Sequence, residues 1–503
     1  MKEFLSTSNA AIFNIKQAYH VFSDNNNQIH FEEVSEEIKI TPNRPQSDYC
    51  GKLPAISPEN IGDKTFRERY NVKYAYMTGA MANGIASERM VIELGKNDIL
   101  SSFGAAGLVP SLLEAAIIKI KLALGNKTFA CNLIHSPSEE ALEINGVKLF
   151  LKYKIKVVEA SAYMDLTPYI VWYKVAGLSE ENGIIKSENK VIAKVSRLEV
   201  ARKFMQPPPA AMLEKLVEEK KITPRQAQLA ASISVADDIT VEADSGGHTD
   251  NRPLVCILPA IIALRDEITL QHDYKHKIHI GAAGGIGTPT AAYAAFSMGA
   301  SFIVTGSVNQ ACIESGSSDI VRKLLAQAEM TDVIMAPAAD MFEMGVKLQV
   351  LKRGTMFSGR AQKLYELYRS YNLIDAIPKE EKEKIEKQLF RRSLEEVWDD
   401  TKDFFRERNM DLLNSAEADP KIKMALIFRW YLGLSSRWAN SGEKGRELDY
   451  QIWCGPSMGA FNAWVKGTDL EKTENRKVVR VAEEIMKGAC YYYRENILKS
   501  LTN

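Results

Sequence analysis

Little in this sequence marks it for export, for a membrane or for nucleic acid. Its six cysteines (Cys50, Cys131, Cys256, Cys312, Cys454 and Cys490) are scattered through 503 residues, and no two form a CxxC pair. That excludes a small disulfide scaffold and suits free thiols in a reducing cytoplasm. No apolar run approaches the length of a membrane span, and the opening MKEFLSTSNAAIF lacks the charged, apolar and cleavage regions of a signal peptide. A cytoplasmic protein without a membrane partner is the expectation. Charge of one sign is missing too. Lys plus Arg and Asp plus Glu are 64 each, so no global field attracts nucleic acid, and an acidic partner must meet a local basic patch. HExxH and Walker A patterns are absent, and no cysteine loop looks nucleophilic.

Composition is that of an ordinary globular protein, with 46% apolar and 25% charged residues, and the length allows one large barrel plus a second region. Residues 1–70 are mixed and polar, with DNNN at Asp24–Asn27 and several prolines between Pro42 and Pro58. They read as a small irregular segment. A rhythm then begins, with apolar or small-residue strands expected at Tyr74–Met81, Ile99–Gly104, Phe129–Ile134 and Val157–Ser161. Four more follow at Val191–Ser196, Ile239–Ala243, Ile278–Ala282 and Phe302–Thr305. Helical patterns such as Ser111–Leu124, Leu198–Met205 and Leu254–Ile268 lie between them. Eight strands alternating with helices predict an α/β fold, a (β/α)8 TIM barrel over 71–328, interrupted by a helical insertion at about 207–233. After Ala328 the strand rhythm stops. Residues 329–503 read as a large, mostly helical C-terminal lid region, with the charged run Pro378–Arg392 as a solvated helix face. Seven aromatics crowd between Trp430 and Trp464, as core or as a roof over the barrel mouth.

The chain is organised around Ile278–Ser307, which reads strand, glycine turn, helix, strand. Gly284, Gly285 and Gly287 make the turn, Thr288 suits the N-cap, Pro289 the first helical position and Gly299 the exit. The second strand ends in another small turn, Gly306-Ser307. Two neighbouring parallel strands ending in glycine form a site for a phosphate monoester, bound by amides and a helix N-terminus. GxGxxG is not matched, since Thr290 stands at the third glycine position. The expected ligand is a mononucleotide cofactor such as FMN.

Barrel sites lie at the C-terminal strand ends. Reading those ends yields mostly small residues, among them Met81, Ala82 and Asn83, which suit a flat ring lying against backbone. Asn132 and Lys194 are polar exceptions, an amide for a pyrimidine edge and a cation for negative charge beside it. His248 follows two glycines beyond the sixth strand and is the candidate proton donor. His272, His276 and His279 have metal-like spacing, but they precede a strand at the stability face and lysines interleave them, so no metal is expected.

These residues carry a resemblance. DITVEADSGGHTD (238–250), AAGGIGTP (282–289) and VTGS (304–307) are similar to the nitronate monooxygenase and flavin-dependent enoyl-ACP reductase superfamily. The tail segments APAADMFEMGVKLQVLKRGTMF (336–357), FRWYLGLSSRWA (428–439) and LDYQIWCGPSMGAFNAW (448–464) resemble more narrowly the PfaD/PksE-type trans-acting enoyl reductases of polyketide and polyunsaturated fatty acid synthases. The resemblance implies FMN, with NADPH or NADH as hydride donor, reducing the α,β-double bond of an acyl chain on an acyl carrier protein. It puts phosphate at Gly284, Gly285, Ile286, Gly306 and Ser307, the flavin ring near Met81, Ala82, Asn83, Asn132 and Lys194, and the acid at His248. Arg353 and Arg360 are the expected contacts for the carrier, and a homodimer is one option. The alternatives are a nitronate monooxygenase or a non-catalytic flavoprotein that docks within a synthase. An IMP-dehydrogenase-like barrel shares the phosphate turn but needs a nucleophilic cysteine loop.

Overall fold

The computed structural model describes residues 13–24, 28–34, 49–135, 140–406 and 408–502. Residues Asn25–Asn27 of the DNNN run, and Pro42 and Pro45, lie outside the described residues. Eight parallel strands close into a barrel: β4 (Tyr76–Thr78), β5 (Leu100–Phe103), β6 (Ala130–Ile134), β7 (Val157–Ser161), β10 (Lys190–Val195), β11 (Asp238–Glu242), β13 (His279–Ala283) and β14 (Phe302–Thr305). Around the barrel they run in that order, with β14 returning to β4. All eight expected strands are present, within a few residues of their expected ends. They read as continuous apolar runs because parallel strands are covered on both faces, by side chains inside the barrel and helices outside.

The helices follow from their caps. Thr288 accepts the amide of Ala291 and Pro289 opens the helix Pro289–Ser297, while Gly299 leaves it at φ 98°. Helices Ala210–Glu218 and Pro224–Ala230 form the hairpin inserted between β10 and β11.

Phe66 and Tyr70, on the helix Lys64–Tyr70, plug the N-terminal end of the barrel. Phe66 stacks on Phe302 at 4.1 Å, and the Tyr70 hydroxyl donates to Asp238. Above the plug the interior is filled by Met77, Leu100, Ala130, Val157, Ile192 and Val304. The last helix, Val478–Thr502, returns to the barrel and packs on Pro289–Ser297. A Cβ on Gly488 would stand 2.5 Å from Pro289, so the two helices touch where the glycine turn begins its helix.

The structure departs from the sequence reading in three places. First, the described residues of the N-terminal region include a sheet, in which β1 (Tyr19–Ser23), β2 (Ile29–Glu33) and β3 (Tyr49–Leu53) are antiparallel in the order β2-β1-β3. Second, β8 (Leu178–Glu181) and β9 (Ile184–Ser187) make a hairpin before β10; its turn residues Asn182 and Gly183 both have positive φ, the signature of an Asn-Gly turn. Third, strands do not cease after Ala328. β15 (Val333–Pro337) and β16 (Lys347–Leu351) are antiparallel, and β16 also pairs with β12 (Gly247–His248), which lies just beyond barrel strand β11. The rest of the C-terminal region is helical around its own core, which includes Phe342, Phe357, Phe390, Phe428 and Tyr431. None of the helices among the described residues is long and apolar enough to cross a membrane.

Candidate active site

All eight barrel strands point the same way, so the residues that follow them share one mouth. After β13, Gly284 and Gly285 adopt φ of 81° and 76°. A Cβ on Gly284 would stand 2.6 Å from the backbone carbon of Ala243, so only glycine fits, whereas Gly285 faces open space. After β14, Gly306 also faces open space and caps the short helix Ser307–Gln310. Since β13 and β14 are hydrogen-bonded neighbours, the two turns lie side by side. The amides of Gly285, Ile286 and Ser307 find no acceptor among the described residues. Free amides beside open space, with two helix starts behind them, suit a phosphate dianion. The loop holding Met81, Ala82 and Asn83 adjoins them, because Gly79 donates to Thr305 at 3.0 Å. Asn83 has φ 57°, and its amide donates to Ala106, which ties this loop to the one after β5.

Three charged side chains line the mouth. Lys194 Nζ stands 3.0 Å from Glu242 Oε1. Glu159, 1% exposed on β7, reaches across to β4, where its Oε2 accepts the amide of Ala80 at 2.8 Å. Its Oε1 has no partner among the described residues. Burial pushes the Lys194 ammonium down, but Glu242 and Glu159 outweigh it and hold the pKa above the ordinary lysine value. Asn132, the register neighbour of Glu159, donates to its carbonyl and to Ser161 Oγ, each at 3.1 Å. A fixed cation, a carboxylate with a free oxygen and an amide are suited to the polar edge of a heterocycle. Glu159 and Glu242 were not expected from sequence, because a lone acid inside an apolar strand resembles a defect in the pattern.

His248 sits at the same mouth, and a part of the chain remote from the barrel holds it there. The pairing of Gly247 with Gln349 and of His248 with Leu348 makes its loop the edge of the tail sheet. Gln349 Nε2 donates to Asp244 Oδ1 and to the Ser245 carbonyl, both at 2.8 Å. Trp453 lies beside Gly247, at 3.8 Å from where a Cβ would be. The imidazole Nε2 is 3.0 Å from Asp340 Oδ1, with the histidine side chain 36% exposed. Burial lowers the pKa of His248, but the hydrogen bond and charge of Asp340, with Glu242 behind them, raise it above the ordinary value. Asp340, Gln349 and Trp453 complete the loop, and no local pattern announces them.

The tail also covers the two glycine turns. Gly455 N donates to Ser307 Oγ at 3.0 Å, and a Cβ on Gly287 would stand 2.5 Å from the Ser457 carbonyl. Gly455–Gly459 spells G-x-S-x-G, the pattern of a nucleophile elbow. Here Ser457 is buried under this contact, and no histidine hydrogen-bonds it among the described residues. The aromatic crowd divides between the two expected places. Tyr431, Tyr450 and Phe461 are fully buried, while Trp453 roofs the His248 loop.

Both arginines expected to meet the carrier are held in ion pairs. Arg360 is no surface cation: it pairs with fully buried Asp449, which also meets Arg391, Arg446 and the Tyr431 hydroxyl. Arg353 is also engaged, with Asp332 and, at 3.3 Å, Glu329. The three spaced histidines go separate ways, His279 to Asp238 and Thr65, His276 to Ser234 at 2.9 Å, and His272 onto the ring of Tyr274.

Comparison with known proteins bears on this geometry. A family profile described as "[Acyl-carrier-protein] S-malonyltransferase, inserted helical domain" matches residues 371–450. Over 449 residues, 88% of the chain, it is 52% identical to a polyunsaturated fatty acid synthase component of Thraustochytrium sp.. It is 44% identical over 444 residues to the polyketide biosynthesis protein PksE of Bacillus subtilis. It spans only 30% and 58%, respectively, of the length of those two relatives. Among solved structures, the enoyl reductase domain of MlnA from the macrolactin cluster of Bacillus amyloliquefaciens is 39% identical with a TM-score of 0.83, over 88% of this chain and 99% of that one. With nearly the whole of that reductase domain matched, tail included, the chain belongs to the PfaD/PksE-type enoyl reductase family.

Proposed function

We propose that the protein is an FMN-dependent enoyl reductase that uses NADPH or NADH to saturate the α,β-double bond of acyl thioesters carried on an acyl carrier protein. The observation that carries this reading is the meeting, at one mouth, of a glycine-built anion cradle, the Lys194–Glu159–Glu242 cluster and His248. The open space at Gly285 and Gly306, and the buried Glu159 oxygen left unpaired by the described residues, fit a phosphate and a polar ring edge.

Bound there, FMN supplies hydride transfer between the nicotinamide and the β-carbon of the enoyl group. The chain does the rest. Gly284–Ile286 and Gly306-Ser307 would hold the phosphate, and Met81, Ala82 and Asn83 would line one side of the ring. Lys194 balances negative charge at the pyrimidine side, with Asn132 beside it. The glycines before His248 bring its imidazole to the mouth, where it donates a proton as the double bond is reduced. The similarity to a polyunsaturated fatty acid synthase component and to PksE supports a substrate delivered within a synthase.

The test is direct. Reconstituted protein should hold FMN, identified by mass after denaturation, and NADPH should bleach it without oxygen. Carrier-tethered crotonyl thioester should then restore the colour and yield butyryl product. Release of FAD, or oxygen uptake driven by alkyl nitronates without enoyl turnover, would overturn the proposal.

A further inference from the structure

His248 and Asp340 lie far apart in the chain and meet because one small sheet carries both. His248 ends β12, and Asp340 lies in the connection between β15 and β16, the strand on which β12 is paired. Asp340 Oδ1 stands 3.0 Å from His248 Nε2. A carboxylate can only accept, so Nε2 carries the hydrogen. Nδ1 is then the nitrogen left to gain and lose a proton, and it has no hydrogen-bond partner among the described residues.

We propose that Asp340 is a positioning residue for the reduction, fixing the Nε2–H tautomer of His248 so that Nδ1 delivers the proton. This rests on the reading of His248 as proton donor. As the β-carbon gains hydride, imidazolium Nδ1–H gives its proton to the α-carbon. The neutral ring keeps its Nε2–H on Asp340, and Nδ1 is reprotonated from water, the side chain being 36% exposed.

The surrounding charges agree. Glu242 from β11 favours the imidazolium, and burial and Lys194 from β10 oppose it. Asp340 outweighs them, and is itself held ionised against its burial by His248 and Arg429. Arg429, on the helix Pro420–Ser441, is tied to Glu343 at 3.2 Å in the same β15–β16 connection. The protonation of a residue in the loop after β11 is thus set from the tail. A barrel without this hairpin would hold a histidine of lower basicity and undefined tautomer.

The test reads the ring directly. FMN-loaded protein labelled with 15N-histidine is titrated by NMR, with His248→Gln assigning the signal. Wild type should show neutral His248 as the Nε2–H tautomer, with a midpoint above that of free histidine. Asp340→Asn should lower the midpoint by about one unit, and Asp340→Glu should restore most of it. In stopped flow, the alkaline limb for reoxidation of reduced flavin by enoyl thioester should move down with it. An unchanged midpoint and tautomer in Asp340→Asn, together with slow reoxidation in His248→Gln, would overturn the role of Asp340 alone. Reoxidation indifferent to both substitutions would overturn the proton-donor reading, whatever the titration shows.

Discussion

Gly246 and Gly455 lie backbone to backbone, and neither has room for a side chain. A Cβ on Gly246 would stand 2.8 Å from Cys454 N and 2.9 Å from Gly455 N, and one on Gly455 would stand 2.9 Å from Gly246 N. This contact joins the His248 loop to the tail segment that covers the glycine turns after β13 and β14, so the mouth is closed by a seam of main chain.

Gly455→Ala should therefore cost about 1–3 kcal/mol of stability by forcing these loops apart. Flavin should be lost at lower temperature than in wild type while the barrel keeps its far-ultraviolet signature. Melting curves followed by flavin fluorescence and by circular dichroism should separate in the variant. Coincident, unshifted curves would mean that the seam yields freely.

His248→Ala should spare the first half-reaction and impair the second. Bleaching by NADPH needs stacking but no protein acid. Reoxidation by enoyl thioester should slow about 10²–10⁴-fold. Anaerobic stopped flow resolves the two steps, and equal slowing of both would make the histidine structural.

Lys194→Met removes the cation that serves both Glu159 and Glu242. Two carboxylates then share a largely buried site, so the variant should melt lower and retain less flavin. Lys194→Met/Glu242→Gln should recover much of the stability and little of the flavin. Recovery of both would show that Lys194 serves only the ion pair.

At the opposite end of the barrel, Asp237 accepts the amide of Val191 and the ammonium of Lys174, the latter at 2.7 Å. Burial opposes its ionisation, but Lys174 and Lys190 outweigh that and bring its pKa from 3.8 down to about 2. A carboxyl more acidic in the folded chain stabilises it above the unfolded pKa and ceases to do so as pH falls through the folded one. The contribution, about 2 kcal/mol, should be complete above about pH 5 and vanish only near pH 1. Wild type should melt well above Asp237→Asn at pH 6, and the gap should narrow steeply as pH is lowered to 2. A constant gap would assign the effect to packing.

The barrel could be read in the sequence because each strand is a short apolar run between helical patterns. The turns after β13 and β14 could be read because glycine, threonine and proline occur in the order a strand-to-helix turn requires. His248 could be found from the two glycines before it. Its partner could not. Asp340 is 92 residues away, and nothing local distinguishes an acid that pairs with a histidine from one that faces water. The partner of Arg360 was out of sight for the same reason, since Asp449 is 89 residues on. The β15–β16 hairpin escaped because its connection, rich in alanine and methionine, has the composition of a helix. The β8–β9 hairpin did leave a mark in Asn182-Gly183, which a turn-by-turn reading would have found.

The antiparallel pairing of His248 with Leu348 also sets an order of assembly. A ribosome making this chain completes every barrel strand before the residue that must lie beside His248 has been added, a hundred positions later. Until then the histidine loop has no edge to join, and Ser307 lacks the Gly455 amide that meets its hydroxyl. A chain stopped after the eighth strand would hold the cradle without its roof.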